Sequence, residues 1–213
     1  MKKALILFGG WEGHEPKETA YIAKEILEKE DFSVVIDTNL DFLLKEEAKS
    51  FNLIIINYTM SSITPEQSAA LAELVKSGVG LAGWHGGLGD AFRNDSLYQY
   101  IVGGQFVNHP DNVCDYMVNI VPNDELLEGI EDFSMHSEQY YCHVDPAITV
   151  HAVTVYKNSQ DPWVNNTVMP VVWTKRFGKG KVFYSSLGHI ASDFSEPVRE
   201  ILRRGFLWAK KGN

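Results

Sequence analysis

Cationic side chains are in short supply in this chain. Nineteen lysines and arginines face 28 aspartates and glutamates, giving a formal net charge of -9 over 213 residues. Nucleic-acid binding relies on cations that displace condensed counterions, and anionic membrane surfaces attract basic segments. Neither partner is therefore expected, and a neutral or weakly charged small molecule remains open. Cysteine is scarce too: Cys114 and Cys142 form no CxxC pair. Nothing demands a disulfide, and reduced, partly buried thiols in a cytoplasmic protein are the expectation. No apolar run reaches the roughly 18 residues that read as a membrane span. The start, Met1-Lys2-Lys3 and then Ala4 to Phe8, imitates a secretory leader. Its apolar run is too short, and Gly9-Gly10-Trp11-Glu12 ends it without a cleavage site, so a first strand is expected instead. Repeats, low-complexity tracts and linkers are absent as well.

What is present is a core-forming composition, 45% hydrophobic. That suffices for one domain over residues 1–213 without a structural metal. Residues 4–8 read as a buried strand, followed by a polar loop from Gly9 to Glu15 and a helix opened by Pro16 with Ile22, Ile26 and Leu27 on one face. Phe32 to Ile36 is a second strand, 41–49 a short helix, and Leu53 to Ile56 a third strand ended by Asn57-Tyr58-Thr59. Thr64, Pro65 and Gln67 spell the N-terminus of a helix with a capping box, and Gly78 suits its close. Val79 to Trp84 is then a fourth strand running into His85-Gly86-Gly87. This alternation predicts an α/β, flavodoxin-like, doubly wound and mostly parallel sheet, with strand order 2-1-3-4-5. The second half is less regular. A short helix is expected at Asp95 to Val102 and strands at 116–121, 151–156, 171–176 and 181–185, the last two joined by a hairpin at Phe177-Gly178-Lys179-Gly180. A final helix carries Val198, Ile201, Leu202, Phe206 and Ala209 on one stripe. The late antiparallel pieces extend the sheet or cover the site.

Ligands of open α/β sheets bind beyond the carboxyl ends of the strands. That rule brings His14, Tyr58 and His85 toward one edge, because they follow strands one, three and four. His189 follows the late strand 181–185, behind Gly188. His85 is the most informative. A strand running into a glycine-flanked residue gives a sharp strand-to-helix turn that presents its side chain, as in a nucleophile elbow. The plainer reading is a helix cap. His109 is held extended by Pro110. Glu138, Tyr140, Tyr141 and His143 suit sugar binding, and suit equally a strand packing its aromatics. His136 and His151 read as ordinary surface or strand residues. Several imidazoles and a carboxylate could hold a divalent metal, but no HExxH or other tight spacing is present, so metal and cofactor stay unassigned.

These blocks resemble a known family. Gly83-Trp84-His85-Gly86-Gly87, Val102-Gly103-Gly104-Gln105-Phe106 with Asn108-His109-Pro110, Ser137-Glu138-Gln139-Tyr140-Tyr141, Met169-Pro170-Val171-Val172-Trp173, and Gly178-Lys179-Gly180-Lys181-Val182-Phe183-Tyr184 with Leu187-Gly188-His189 look like the ThuA-like (trehalose utilisation) family, in order along nearly the whole chain. The resemblance implies a class I glutamine amidotransferase-like fold. Amidotransferases of this fold carry a nucleophilic cysteine at the elbow. Here His85 stands there, and neither cysteine has an elbow context, so covalent glutaminase chemistry is not expected. His189 resembles the amidotransferase histidine, without its usual partner.

The family resemblance further implies sugar catabolism beside an oxidoreductase that makes 3-keto sugars. A 3-keto group acidifies the adjacent C–H, so a general base and a general acid could open the glycosidic bond. The leading expectation is an enzyme that isomerises or cleaves an oxidised disaccharide or glycoside. His85, His189 and Glu138 would be its catalytic residues, and His14, Tyr58, Trp84, His109 and Tyr140 its substrate-binding residues. Within that set His85 is base or orienting residue, and His189 and His109 are acids or metal ligands. Glu138 and Tyr140 position hydroxyls. Trp11, Trp84 and Trp173 are stacking platforms, with core packing favoured for Trp173. The alternatives are a non-catalytic sugar-binding domain and a residual thiol hydrolase. A two-fold homodimer is the default assembly.

Overall fold

The computed structural model describes residues 2–212, so Met1 and Asn213, the two ends of the expected domain, lie outside the described residues. The first half follows the strand–helix alternation. Strand β1 (Lys2–Gly10) leads through a short 3-10 turn to helix α1 (Pro16–Glu28), strand β2 (Phe32–Asp37), strand β3 (Leu53–Thr59), helix α2 (Pro65–Lys76), strand β4 (Gly80–Trp84) and the short helix α3 (His85–Gly89). The punctuation behaves as its chemistry dictates. Thr64 Oγ1 accepts from the Gln67 amide at 3.2 Å while Gln67 Oε1 accepts from the Thr64 amide at 3.0 Å. Gly78, just past the helix, takes φ +115°.

Two features of this half depart from the sequence pattern. Strands β1 and β3 each run beyond their apolar stretch, pairing Phe8 with Asn57, Gly9 with Tyr58 and Gly10 with Thr59. The expected short helix at 41–49 is two 3-10 turns, Leu40–Leu44 and Glu46–Ser50. An apolar cluster of Leu40, Phe42 and Leu43 anchors them without a full helical period.

The second half adds helix α4 (Ser96–Val102) and strands β5 (Gly104–Asn108), β6 (Val113–Ile120), β7 (Phe133–Glu138), β8 (Tyr141–Val144), β9 (Thr149–Val155), β10 (Val168–Phe177) and β11 (Gly180–Ser185), then helix α5 (Glu196–Ala209). Among the described residues one sheet has the order β2-β1-β3-β4-β11-β10-β9-β6-β7, and β5 pairs separately with β8. The order 2-1-3-4 is the expected one, and the fifth parallel position is taken by the late strand β11. From β11 onward the neighbours are antiparallel. Strands β5 and β7 escape the sequence reading, whereas β8 falls in the stretch around Tyr141 and His143 for which a strand packing its aromatics is one of two expectations. β7 reads Phe-Ser-Met-His-Ser-Glu, without a β-branched residue, so it lacks the composition of a strand.

Alternation along β1 sends side chains to opposite faces. Ala4 and Ile6 meet Ala20, Ala23 and Leu27 of α1 together with Ile201, Leu202 and Phe206 of α5. Leu5 and Leu7 join Leu71, Leu74 and Val75 of α2 and Ile101 of α4. The sheet is thus covered on both faces and open at the strand ends, where the polar residues collect. Among the described residues no helix is long and apolar enough to cross a membrane.

Candidate active site

His85 is the pivot. It opens α3 directly behind β4, with φ 44°, so the left-handed conformation falls on the histidine itself rather than on a glycine. The glycines that follow serve close approach. A Cβ at Gly86 would stand 2.6 Å from the His14 ring, and one at Gly87 would stand 2.1 Å from Asn57 Oδ1. The His85 side chain is buried. Its Nδ1 lies 2.8 Å from the Ser186 carbonyl oxygen and its Nε2 lies 3.1 Å from Glu138 Oε2. A carbonyl only accepts, so Nδ1 carries a proton and Nε2 faces the carboxylate.

His14 ends the 3-10 turn behind β1 and reaches the same spot from the opposite side. Its Nδ1 is 3.0 Å from Thr59 Oγ1, a residue that the longer β3 brings into place. Its Nε2 is 3.9 Å from Glu138 Oε2. Glu138 closes β7, far across the sheet, and its second oxygen lies 3.6 Å from His189 Nε2 and 3.7 Å from His109 Nε2. One carboxylate is therefore approached by four imidazoles. One ligand-capable atom each from His14, His85, Glu138 and His189 falls within 4.8 Å of the others. This is the donor set that could hold a metal. Tyr140 stacks on His85 with ring centroids 3.9 Å apart, and Phe106 of β5 leans on Tyr140.

Burial, followed by the neighbouring His85 and His189 charges, pulls the His14 imidazole down from 6.5 to about 3. Burial and His85 lower His189 as well. Burial pushes the Glu138 carboxyl upward, but the His85 hydrogen bond and the surrounding imidazoles outweigh it and hold the group at about 2. Near neutral pH the site thus presents an anionic carboxylate, with His14 and His189 as neutral imidazoles. Burial and then Glu138 raise the Tyr140 phenol well above its usual range, so it stays protonated.

Of the residues expected to bind or react, the structure brings His14, His85, His109, Glu138, Tyr140 and His189 together. It leaves two outside. Trp84 is 1% exposed and packs edge-on against Phe194, so it offers no stacking face, because its strand position points it into the core under α5. Tyr58 turns its hydroxyl to the Thr38 carbonyl. Trp173 is buried and donates to the Val102 carbonyl. Trp11, half exposed, meets His14 edge-on with ring centroids 4.8 Å apart, at the rim of the cluster. His143 and His136 are exposed, the latter beside Asp115. His151 is buried in β9 between Asp124 and Thr174.

Several supporting residues carried no recognisable signal. Thr59 and the Ser186 carbonyl orient the two buried rings. Asp193 accepts from Ser137 Oγ and from the His189 amide, tying β7 to the loop after β11. Glu15 Oε2 accepts from the Ala191 amide at 2.8 Å and fastens that loop to the His14 turn. Arg93 grips the buried Asp90 through two nitrogens and extends over the Phe106 ring, 5.7 Å from its centre. Only the Asp90-x-x-Arg93 spacing could have been noticed, since the others act through backbone atoms or short polar groups.

A profile of the ThuA family, described as trehalose utilisation, matches residues 3–209. Among solved structures, a ThuA-like protein from Bacteroides uniformis is 20% identical, with a TM-score of 0.77 over 97% of this chain and 90% of that one. One from Parabacteroides merdae is 16% identical, with a TM-score of 0.76 over 98% of this chain and 89% of that one. A cytoplasmic protein from Salmonella typhimurium LT2 is 13% identical, with a TM-score of 0.64 over 99% of this chain and 100% of that one. At such identities the likeness is one of fold. No curated protein matches the chain.

Proposed function

The chain belongs to the ThuA family of trehalose utilisation, and from that membership and a carbohydrate-related role we propose that it is an enzyme acting on an oxidised, 3-keto disaccharide or glycoside. The carrying observation is the single carboxylate, Glu138, with four imidazole Nε2 atoms within 3.9 Å of its oxygens. A carbonyl at C3 makes the C2 hydrogen acidic. A neutral imidazole, His189 at the less buried side of the cluster, takes that proton. The C–H electron pair forms the C2=C3 enolate and the C3 oxygen becomes negative. Collapse of the enolate expels the glycosidic oxygen from C1, and that oxygen takes a proton from the His109 side. His85 and Glu138 hold the charge pattern, and Tyr140 stacks behind His85. Returning the proton to another carbon of the enediol would give isomerisation from the same intermediate. Trp11 at the rim offers an aromatic face to a sugar ring. The substrate is a small neutral sugar, which suits a chain of net charge -9. We place the protein in the cytoplasm, a reading supported by the Salmonella neighbour so described.

The test is turnover of 3-keto-trehalose by purified protein, followed as released glucose or isomerised sugar. Turnover is expected, with a loss of roughly 100-fold or more in His85→Ala. Saturable binding without turnover would replace the enzyme with a sugar-binding domain.

A further inference from the structure

We propose that His14, His85, His189 and Glu138 form a mononuclear centre for a first-row divalent transition ion such as zinc, manganese or cobalt. The inference rests on the proposed reaction only for the use of the ion, since the geometry argues for the ion by itself.

Three features point the same way. The first is orientation. Both buried rings are fixed through Nδ1, His14 by Thr59 Oγ1 at 3.0 Å and His85 by the Ser186 carbonyl at 2.8 Å. Each Nε2 is thereby turned to the common centre. A histidine ligand is typically held in this way, with one ring nitrogen committed to a protein oxygen so that the other presents its lone pair. The second is spacing. Ligands about 2.1 Å from a tetrahedral ion stand about 3.4 Å from one another. The Nε2-to-carboxylate distances of 3.1, 3.6 and 3.9 Å for His85, His189 and His14 bracket that value.

The third feature is convergence. The His14 and His189 rings stand with centroids 4.7 and 5.3 Å from that of His85. One ligand-capable atom from each of the three, with one from Glu138, lies within 4.8 Å of the others. One divalent ion satisfies all four donors at once. Three imidazoles and one carboxylate favour a first-row transition ion over magnesium or calcium, which prefer all-oxygen shells.

His109 stands outside the quartet. Its Nε2 is 3.7 Å from Glu138 Oε1, and its buried Nδ1 has no hydrogen-bond partner among the described residues. With an ion binding the C3 keto oxygen, the enolate charge would fall on the ion. His189, its Nε2 then given to the ion, would yield the base role described above to His109, which would move the proton between C2 and the leaving oxygen.

The experiment uses untagged full-length protein, stripped with chelator and exchanged into metal-free buffer. Titration with Co(II) should give visible ligand-field bands of a low-coordinate nitrogen and oxygen site, saturating at one equivalent. Zinc should displace cobalt, and magnesium in excess should not. Glu138→Gln and His14→Gln should abolish the bands. Thr59→Ala, which keeps every ligand, should weaken affinity by about 10–100-fold. Circular dichroism of each variant reports folding, and a variant that fails to fold is replaced as evidence by Thr59→Ala. Absence of saturable cobalt or zinc binding in the folded wild type overturns the centre. So does binding that is unchanged in folded Glu138→Gln and Thr59→Ala. The two readings fail separately. A bound ion with no turnover of the keto sugar leaves the centre standing and removes the substrate. Full turnover in verified metal-free protein removes the centre and leaves acid–base chemistry.

Discussion

At the scale of single residues, the site depends on what is small as much as on what is reactive. Gly87 approaches Asn57 so closely that a methyl group would stand 2.1 Å from its Oδ1, and the Asn57 amide already donates to the Pro16 carbonyl and to Thr19 Oγ1. The neighbour cannot retreat without giving up buried hydrogen bonds. Gly87→Ala should therefore lower stability by about 1–3 kcal/mol, measured by urea unfolding. Gly86→Ala meets the His14 ring instead, so it should depress activity more than stability. The thiols give a contrasting prediction. Burial raises Cys142 to about 12, and burial raises Cys114 too. Native protein at pH 7.5 should resist iodoacetamide for hours and keep its activity, whereas rapid alkylation with loss of activity would revive a thiol mechanism. The clustering of His14, His85 and His189 was legible because strand ends predict where side chains gather. Thr59 was not, since a threonine after a buried strand looks the same whether or not it orients a ring.

At the scale of elements, continuous apolar strands and capped helices were legible because burial on both faces and end-capping leave unambiguous patterns. β1, β3, β4 and α2 belong to this group. Strands β5 and β7 were not, and β7 delivers Glu138. Its outward residues are serine and histidine, its length is six, and its register comes from β6 rather than from its own propensity. Helix α5 supports a prediction at this scale. Glu200 receives Arg203 Nε and Arg204 Nε, each at 2.7 Å. The Arg203 hydrogen bond, aided by Arg204, lowers its carboxyl from 4.5 to about 2. A group depressed in the folded state contributes stability above its unfolded value and loses it as pH falls. The contribution should be complete above about 4.5 and fade between there and 2. Because the group is about a third exposed, its size should stay below about 1 kcal/mol. Unfolding midpoints of wild type and Glu200→Gln, compared at pH 7 and pH 3, should converge in acid.

At the scale of the whole molecule, the sheet is doubly wound on one side and antiparallel on the other, and the site lies where the two meet. Its parts come from five distant stretches of chain, around His14, His85, His109, Glu138 and His189, which is why local motifs such as HExxH are missing while the cluster is compact. The order of the sheet also has a kinetic side. β4 has one neighbour, β3, close in sequence, but its other neighbour, β11, arrives so late that His85 and Ser186 in the adjoining turns are 101 residues apart. During synthesis β4 must stand with a bare edge while most of the second half is made. Contacts of such separation slow folding and leave strand edges open to other chains. The strand that waits is Gly-Leu-Ala-Gly-Trp, almost free of the branched residues that nucleate intermolecular pairing. The same small residues that let helices and loops crowd the site therefore also make the exposed edge a poor template for aggregation.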